Sequence, residues 1–115
     1  LQQAEASMTQ YIAKLAAIEG VEVASRSLAR FCPVEFSPDV VNLIETTAKE
    51  RGYACQRLPS GAGHDAQMFA PNCPTGMIFV PSQGGISHNV KEFTAAVEID
   101  AGLDVLTQVV LQLTE

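Results

Sequence analysis

Apolar residues recur at three- and four-residue intervals near the start of the chain: Met8, Tyr11, Ile12, Leu15 and Ile18. That spacing places them on one face of a helix over about residues 3–19, with Glu5, Gln10 and Lys14 elsewhere on its surface. Gly20 follows, where a helix C-terminus favours a residue able to take positive φ. The period then shortens to an alternation in β-branched residues, Val21-Glu22-Val23, which predicts a strand within residues 21–31. The alternation slips at Ser25-Arg26-Ser27, so a bulge or an early end is expected there. Pro33 and Pro38 bracket the connector PVEFSP, and two prolines so close break any regular element. This connector is the expected domain boundary.

Ser37-Pro38-Asp39 has the order of a helix start: a serine N-cap, proline in the first turn and an acid near the positive dipole end. The helix runs on through Val40, Leu43, Ile44, Thr47 and Ala48, and Gly52 closes it. Residues 53–58 predict a short strand, and residues 65–70 a brief helix ended by Pro71, Asn72 and Pro74. The uninterrupted apolar run Met77-Ile78-Phe79-Val80 predicts a buried strand over residues 76–80. Finally Ile99, Leu103, Leu106, Val110 and Leu113, spaced 4, 3, 4 and 3, predict an amphipathic helix that begins near Thr94 or Ala95. The alternation of helix and strand after the connector predicts an α/β class with a parallel sheet. Yet so few strands cannot cover such extensive helical faces, because a parallel sheet is buried on both sides and usually larger. Much of the partner surface is therefore expected on another chain or on a segment absent from this one. The opening Leu1-Gln2-Gln3, without an initiator methionine, leaves room for either a missing leader or a piece of something longer.

Composition narrows the function classes. The 115 residues suffice for one ordinary domain, and 47% of them are apolar. A net charge of -6 with only seven Lys and Arg argues against nucleic acid or an anionic membrane as partner. The apolar runs are too short to span a bilayer, and no secretory leader is evident. Cys32, Cys55 and Cys73 are odd in number and form no C-x-x-C pair, which suits free, buried or half-buried thiols in a reducing, cytoplasmic compartment.

The chemistry-bearing residues gather in residues 58–94, which hold both histidines and five of the eight glycines. In Ser60-Gly61-Ala62-Gly63-His64-Asp65, a glycine turn leads into the predicted short helix. Backbone N–H groups at such a turn suit a carboxylate or phosphate, with Asp65 as N-cap and His64 facing the ligand. By spacing alone, a plain sharp turn with a solvated histidine is the commoner outcome. In Gly84-Gly85-Ile86-Ser87-His88-Asn89, a second histidine follows the predicted strand at the sheet edge where α/β proteins bind ligands. A neutral imidazole there can ligate a metal or act as a base. A catalytic zinc site needs about three protein ligands, and two histidines with Asp65 and Glu92 do not readily supply them. Ser60, Ser82 and Ser87 lie near both histidines, but no G-x-S-x-G elbow is present and a serine triad is disfavoured.

Taken together, PSGAGHDAQ, PTGMIFVPS and GGISHN-x-x-EFT, in this order and spacing, resemble the C-terminal end of a family of metal-dependent amidohydrolases. That family comprises N-carbamoyl-L-amino acid hydrolases, allantoate amidohydrolases and β-ureidopropionases, related to aminoacylase and carboxypeptidase-type dimetal peptidases. The resemblance is strong over residues 53–113 and weaker before the connector. It implies the end part of a dimetal-peptidase-like α/β catalytic domain, residues 33–115. Before it would come the last helix and strand of a ferredoxin-like lid and dimerisation domain, residues 1–32. It further implies two divalent ions, zinc or manganese, one of them liganded by His88. Gly61, Ala62, Gly63 and His64 would contact a small ureido substrate bearing a carboxylate, and Asp65 would hold the loop. The remaining ligands and the general base should lie upstream, so no catalytic base is expected within this chain. The intact protein would be a homodimer, and the chain alone inactive. Two alternatives from other classes are a non-catalytic carboxylate-binding module and a fragment that serves only to complete a partner subunit.

Overall fold

The computed structural model describes residues 2–28 and 31–114, and internal contacts divide the chain into two units, Leu1–Cys32 and Pro33–Glu115.

The first unit is a single helix, α1 (Gln2–Glu19). It ends as expected of a glycine stop: Gly20 takes φ +64°, and the Val21 N–H reaches back to the Ala16 carbonyl at 3.1 Å. This six-to-one bond satisfies a carbonyl that the helix itself leaves open. The predicted apolar face exists but covers nothing. Met8, Tyr11, Leu15 and Ile18 are all exposed, and α1 buries no residue. The strand expected within residues 21–31 is not formed over residues 21–28, and Ala29 and Arg30 lie outside the described residues, as does Leu1. Alternating β-branched residues make a strand only when a neighbour pairs with their N–H and C=O groups.

The second unit is built on a helix pair, α2 (Pro38–Glu50) and α4 (Ala96–Thr114). Between them in sequence lie the one-turn α3 (Ala66–Phe69) and a 3₁₀ turn at Gln83–Gly85. Proline stands in the first turn of α2, and the Val41 N–H donates to the Ser37 carbonyl at 3.0 Å. Ser37 marks the boundary as predicted, but its hydroxyl makes no cap bond; instead its own N–H donates to Thr75 O at 3.0 Å. At the other end Gly52 takes φ +81°, its N–H donates to Lys49 O at 3.0 Å, and that of Tyr53 donates to Ala48 O at 2.9 Å. Both orphan carbonyls are thereby closed, and Tyr53 is turned onto the helix pair.

The core is small: Ala48, Val105 and Val109, with Leu43, Ile44, Tyr53 and Ile78 packed against it. Thr47, 2% exposed, accepts a hydrogen bond from the Gln112 amide at 3.2 Å, so the buried hydroxyl is satisfied. Residues 76–80 cross the helix pair in close contact. A Cβ on Gly76 would sit 2.8 Å from Val40 Cγ1, and one on Gly102 would sit 2.5 Å from Val80 Cγ1. Glycine is required at both places by close approach rather than by backbone angle.

The described residues contain helices and no strand, so the strands of the α/β expectation are not formed among them. Residues 53–58 and 76–80 lack any ladder partner among the described residues. The apolar run is not buried either: Met77 and Ile78 are half-buried, while Phe79 is 52% exposed. One face of the run meets the helices and the other meets nothing. The same cause bears on α4, which forms as expected but leaves its main stripe uncovered. Its 4-3-4-3 stripe of Ile99, Leu103, Leu106, Val110 and Leu113 is exposed, and the face that packs on α2 is Val105 and Val109, roughly 100° away around the helix. A helix apolar on two sides belongs to an interior. Likewise Cys32, Cys55 and Cys73 are free but exposed, not buried, because no outer layer covers them.

Candidate functional site

The glycine turn is tied to α2 by the segment that leads into it. Arg57 donates from Nε to Glu45 Oε2 at 2.7 Å and from Nη2 to Asn42 Oδ1 at 2.7 Å, and its Nη2 also pairs with Glu45. Glu45 in turn pairs with Lys49 at 2.5 Å. Hydrogen bonds from Lys49 and then Arg57 hold the Glu45 carboxyl below its usual range. These contacts lie at the surface and add little stability, but they set where residues 53–58 run.

Within the turn the Ser60 hydroxyl donates to Ala62 O at 2.9 Å. The N–H groups of Gly61, Ala62 and Gly63 donate to no acceptor among the described residues. Neither glycine has positive φ, and a Cβ on Gly61 would meet nothing within 4 Å. The local fold therefore does not demand glycine at position 61. What a Cβ there would obstruct is approach to the backbone from solvent.

The capping of α3 differs from expectation. Asp65 occupies the N-cap position in helical geometry and makes no side-chain cap bond. His64 does that work: its Nδ1 accepts from the Ala66 N–H at 3.1 Å and its carbonyl from the Gln67 N–H at 2.9 Å. With Nδ1 an acceptor, a neutral His64 carries its proton on Nε2, the edge turned away from the helix. The helix has only four residues, so the dipole invoked for anion binding is slight. What the turn offers a ligand is the unpaired N–H groups of residues 61–63.

The second loop is closed at its base, where Gln83 N donates to Phe93 O at 2.8 Å and the Ser82 hydroxyl bonds Ile86 O. Gly84 and Gly85 take φ +65° and +67°, so both are needed for the turn itself. His88 also has positive φ, +55°, and is the one described non-glycine residue that does. Its N–H donates to Glu92 Oε2 at 2.7 Å. Lys91 N donates to Asn89 Oδ1 at 3.0 Å, and Glu92 N to Asn89 O at 2.9 Å. The His88 imidazole is exposed and has no partner among the described residues. The sequence named Glu92 only as a nearby acid; its contact depends on the left-handed backbone at His88, for which the sequence carries no signal.

No hydrogen bond or ion pair joins the two loops among the described residues, and no three His, Cys, Asp or Glu side chains converge there. An imidazole such as that of His88 suits one position around a zinc or manganese ion, and no group of three possible ligands stands among the described residues. An open groove lined by Gln2, Glu5, Thr9 and Gln10 lies on α1, in the other unit from both histidines. No described helix is long and apolar enough to cross a membrane.

Comparison with known proteins shows what the chain is similar to. An allantoate amidohydrolase of Bacillus subtilis is 35% identical over 98% of this chain, which spans 27% of that protein. An N-carbamoyl-L-amino-acid amidohydrolase of Rhizobium meliloti is 41% identical over 84% of the chain and 23% of its own length. A crystal structure of an amidase of the hydantoinase/carbamoylase family from Burkholderia vietnamiensis superposes with a TM-score of 0.93 at 34% identity, over 96% of this chain and 27% of that one. The chain thus spans about a quarter of the length of the relatives it matches. Residues 7–112 match the family described as Peptidase family M20/M25/M40, and the chain belongs to that family.

Proposed function

We propose that this chain is the closing portion of a longer metal-dependent amidohydrolase that cleaves the C–N bond of an N-carbamoyl-L-amino acid or of allantoate. The observation that carries the proposal is the presence, within one chain of this family, of three unpaired backbone N–H groups at 61–63 and of an unpartnered imidazole on a left-handed backbone at 88. The names of the two amidohydrolase relatives support the substrate class. Residues 33–115 would belong to the hydrolase domain and residues 1–32 to the lid and dimerisation domain of a homodimer. In the whole protein, residues 76–80 would find the strand partners that are missing among the described residues, which restores the α/β reading.

In this reading Gly61, Ala62 and Gly63 grip the substrate carboxylate through their N–H groups. His64, oriented by the Ala66 N–H, presents Nε2–H to the same substrate as a donor. His88 would ligate one of two divalent ions. Bound there, those ions supply polarisation of the scissile carbonyl and a more acidic water. The general base lies outside this chain. Ammonia release by the full-length protein, supplied with zinc or manganese, tests the proposal. Release from N-carbamoyl-L-amino acids or allantoate, abolished by a chelator, is expected. Release from neither substrate would refute it and leave a non-catalytic carboxylate-binding or subunit-completing role.

A further inference from the structure

The loop that carries His88 holds a feature the hydrolase reading does not use. A non-glycine residue at φ +55° is in the left-handed region, which histidine enters more readily than most residues but still at a cost in free energy. Such a conformation persists only where neighbouring contacts fix it. Here one contact does so directly. The Glu92 carboxylate, four residues on, accepts the His88 N–H at 2.7 Å, a charge-assisted bond to the strained residue itself. Glu92 is held in turn by its own N–H on Asn89 O at 2.9 Å, and the Asn89 side chain accepts from Lys91 N at 3.0 Å. The chain thus turns back on itself between His88 and Glu92 while Gln83 and Phe93 pin the two ends of the loop. The imidazole of His88 has no partner among the described residues.

We infer that Glu92 is a positioning residue: through the His88 N–H it fixes the left-handed backbone that aims the imidazole, and it does so without touching metal or substrate. The inference rests on the reading of His88 as a metal-facing residue and deepens it. A carboxylate that bonds a ligand's backbone acts on affinity for the ion, because a freely turning His88 must lose that freedom each time an ion binds. Groups that support a ligand in this way change metal affinity by about tenfold to a hundredfold when removed.

The test is zinc retention by the full-length protein, measured by dialysis against graded free zinc, for wild type, Glu92→Ala, Glu92→Gln and His88→Ala. Circular dichroism and thermal melting establish that each variant is folded. Glu92→Ala is expected to weaken one zinc site about tenfold to a hundredfold. Glu92→Gln, whose side-chain oxygen still accepts the His88 N–H, is expected to lie closer to wild type than to Glu92→Ala. If His88→Ala loses zinc while Glu92→Ala retains it as wild type does, the inference is overturned and the role of His88 stands. Equal weakening by Glu92→Gln and Glu92→Ala overturns it too, since the charge and not the backbone bond would then matter. Unchanged zinc in His88→Ala removes both readings.

Discussion

At the scale of single residues, glycines separate into those the fold needs and two, Gly61 and Gly63, that it does not. Gly20, Gly52, Gly84 and Gly85 take positive φ, and Gly76 and Gly102 lie against side chains with no room for a methyl group. Gly61 has neither constraint. Replacing it by alanine should leave the melting temperature unchanged or raise stability by up to about 1 kcal/mol, because the unfolded chain becomes less free. If the backbone at 61–63 grips a substrate carboxylate, the same Gly61→Ala change should raise KM with little effect on kcat, since it removes binding rather than transition-state contact. Parallel melting and steady-state kinetics on the full-length protein check this, and an unaltered KM would detach the turn from the substrate. Residue types at this scale were legible in the sequence: the glycine turn and both histidines stand out. What stayed hidden was which side chain caps what. Asp65 has the chemistry of an N-cap, but the His64 ring reached the Ala66 N–H first. The bond between Glu92 and His88 depends on a backbone angle that sequence spacing does not announce.

At the scale of elements, α2 and α4 are tied by a polar clamp at the edge of the core. Arg51 donates from Nε and Nη2 to the two oxygens of Asp104 at 2.8 Å each, and the Tyr53 hydroxyl donates to the same carboxylate at 2.9 Å. The Arg51 bonds, with help from Tyr53, hold the Asp104 carboxyl below its usual range, and the bond to Asp104 pushes the Tyr53 phenol above its own. A carboxyl whose folded pKa is depressed contributes stability that is present above its unfolded pKa and lost as pH falls through the folded value. The clamp should therefore hold at neutral pH and weaken below the ordinary carboxylate range. Melting temperature against pH should show an acid limb that becomes shallower in Asp104→Asn; an identical limb in both proteins would show that Asp104 does not couple α2 to α4.

Helix positions were legible at this scale because capping is local: Gly20 and Gly52 stop α1 and α2 where the sequence puts them. The packing face of α4 was not. Its strongest periodic stripe is the exposed one, since a helix apolar on two sides offers a choice that only its neighbours decide. Strands failed for the same reason. Residues 53–58 and 76–80 have suitable residues, but a ladder is a property of two segments, and the second is not among the described residues.

At the scale of the whole molecule, three features point to one cause: uncovered apolar faces on α1 and α4, a half-exposed apolar run at 77–80, and one candidate ligand where an ion needs several. The chain spans about a quarter of the length of its relatives. Counting ligands and strands in the sequence raised the same expectation, without knowing what would supply the rest. The central claim is that His88 and the glycine turn form one wall of a site whose other walls lie elsewhere in a longer protein. Ammonia release from an N-carbamoyl-L-amino acid, measured per chain with zinc or manganese present, tests it most directly when the 115-residue chain and the full-length protein are each assayed with and without His88→Ala. The account predicts hydrolysis by the full-length wild type alone, falling by at least about a hundredfold on loss of His88, the upper end of what removal of a mere supporting group produces. Hydrolysis by the 115-residue chain on its own, slowed by His88→Ala, would contradict it.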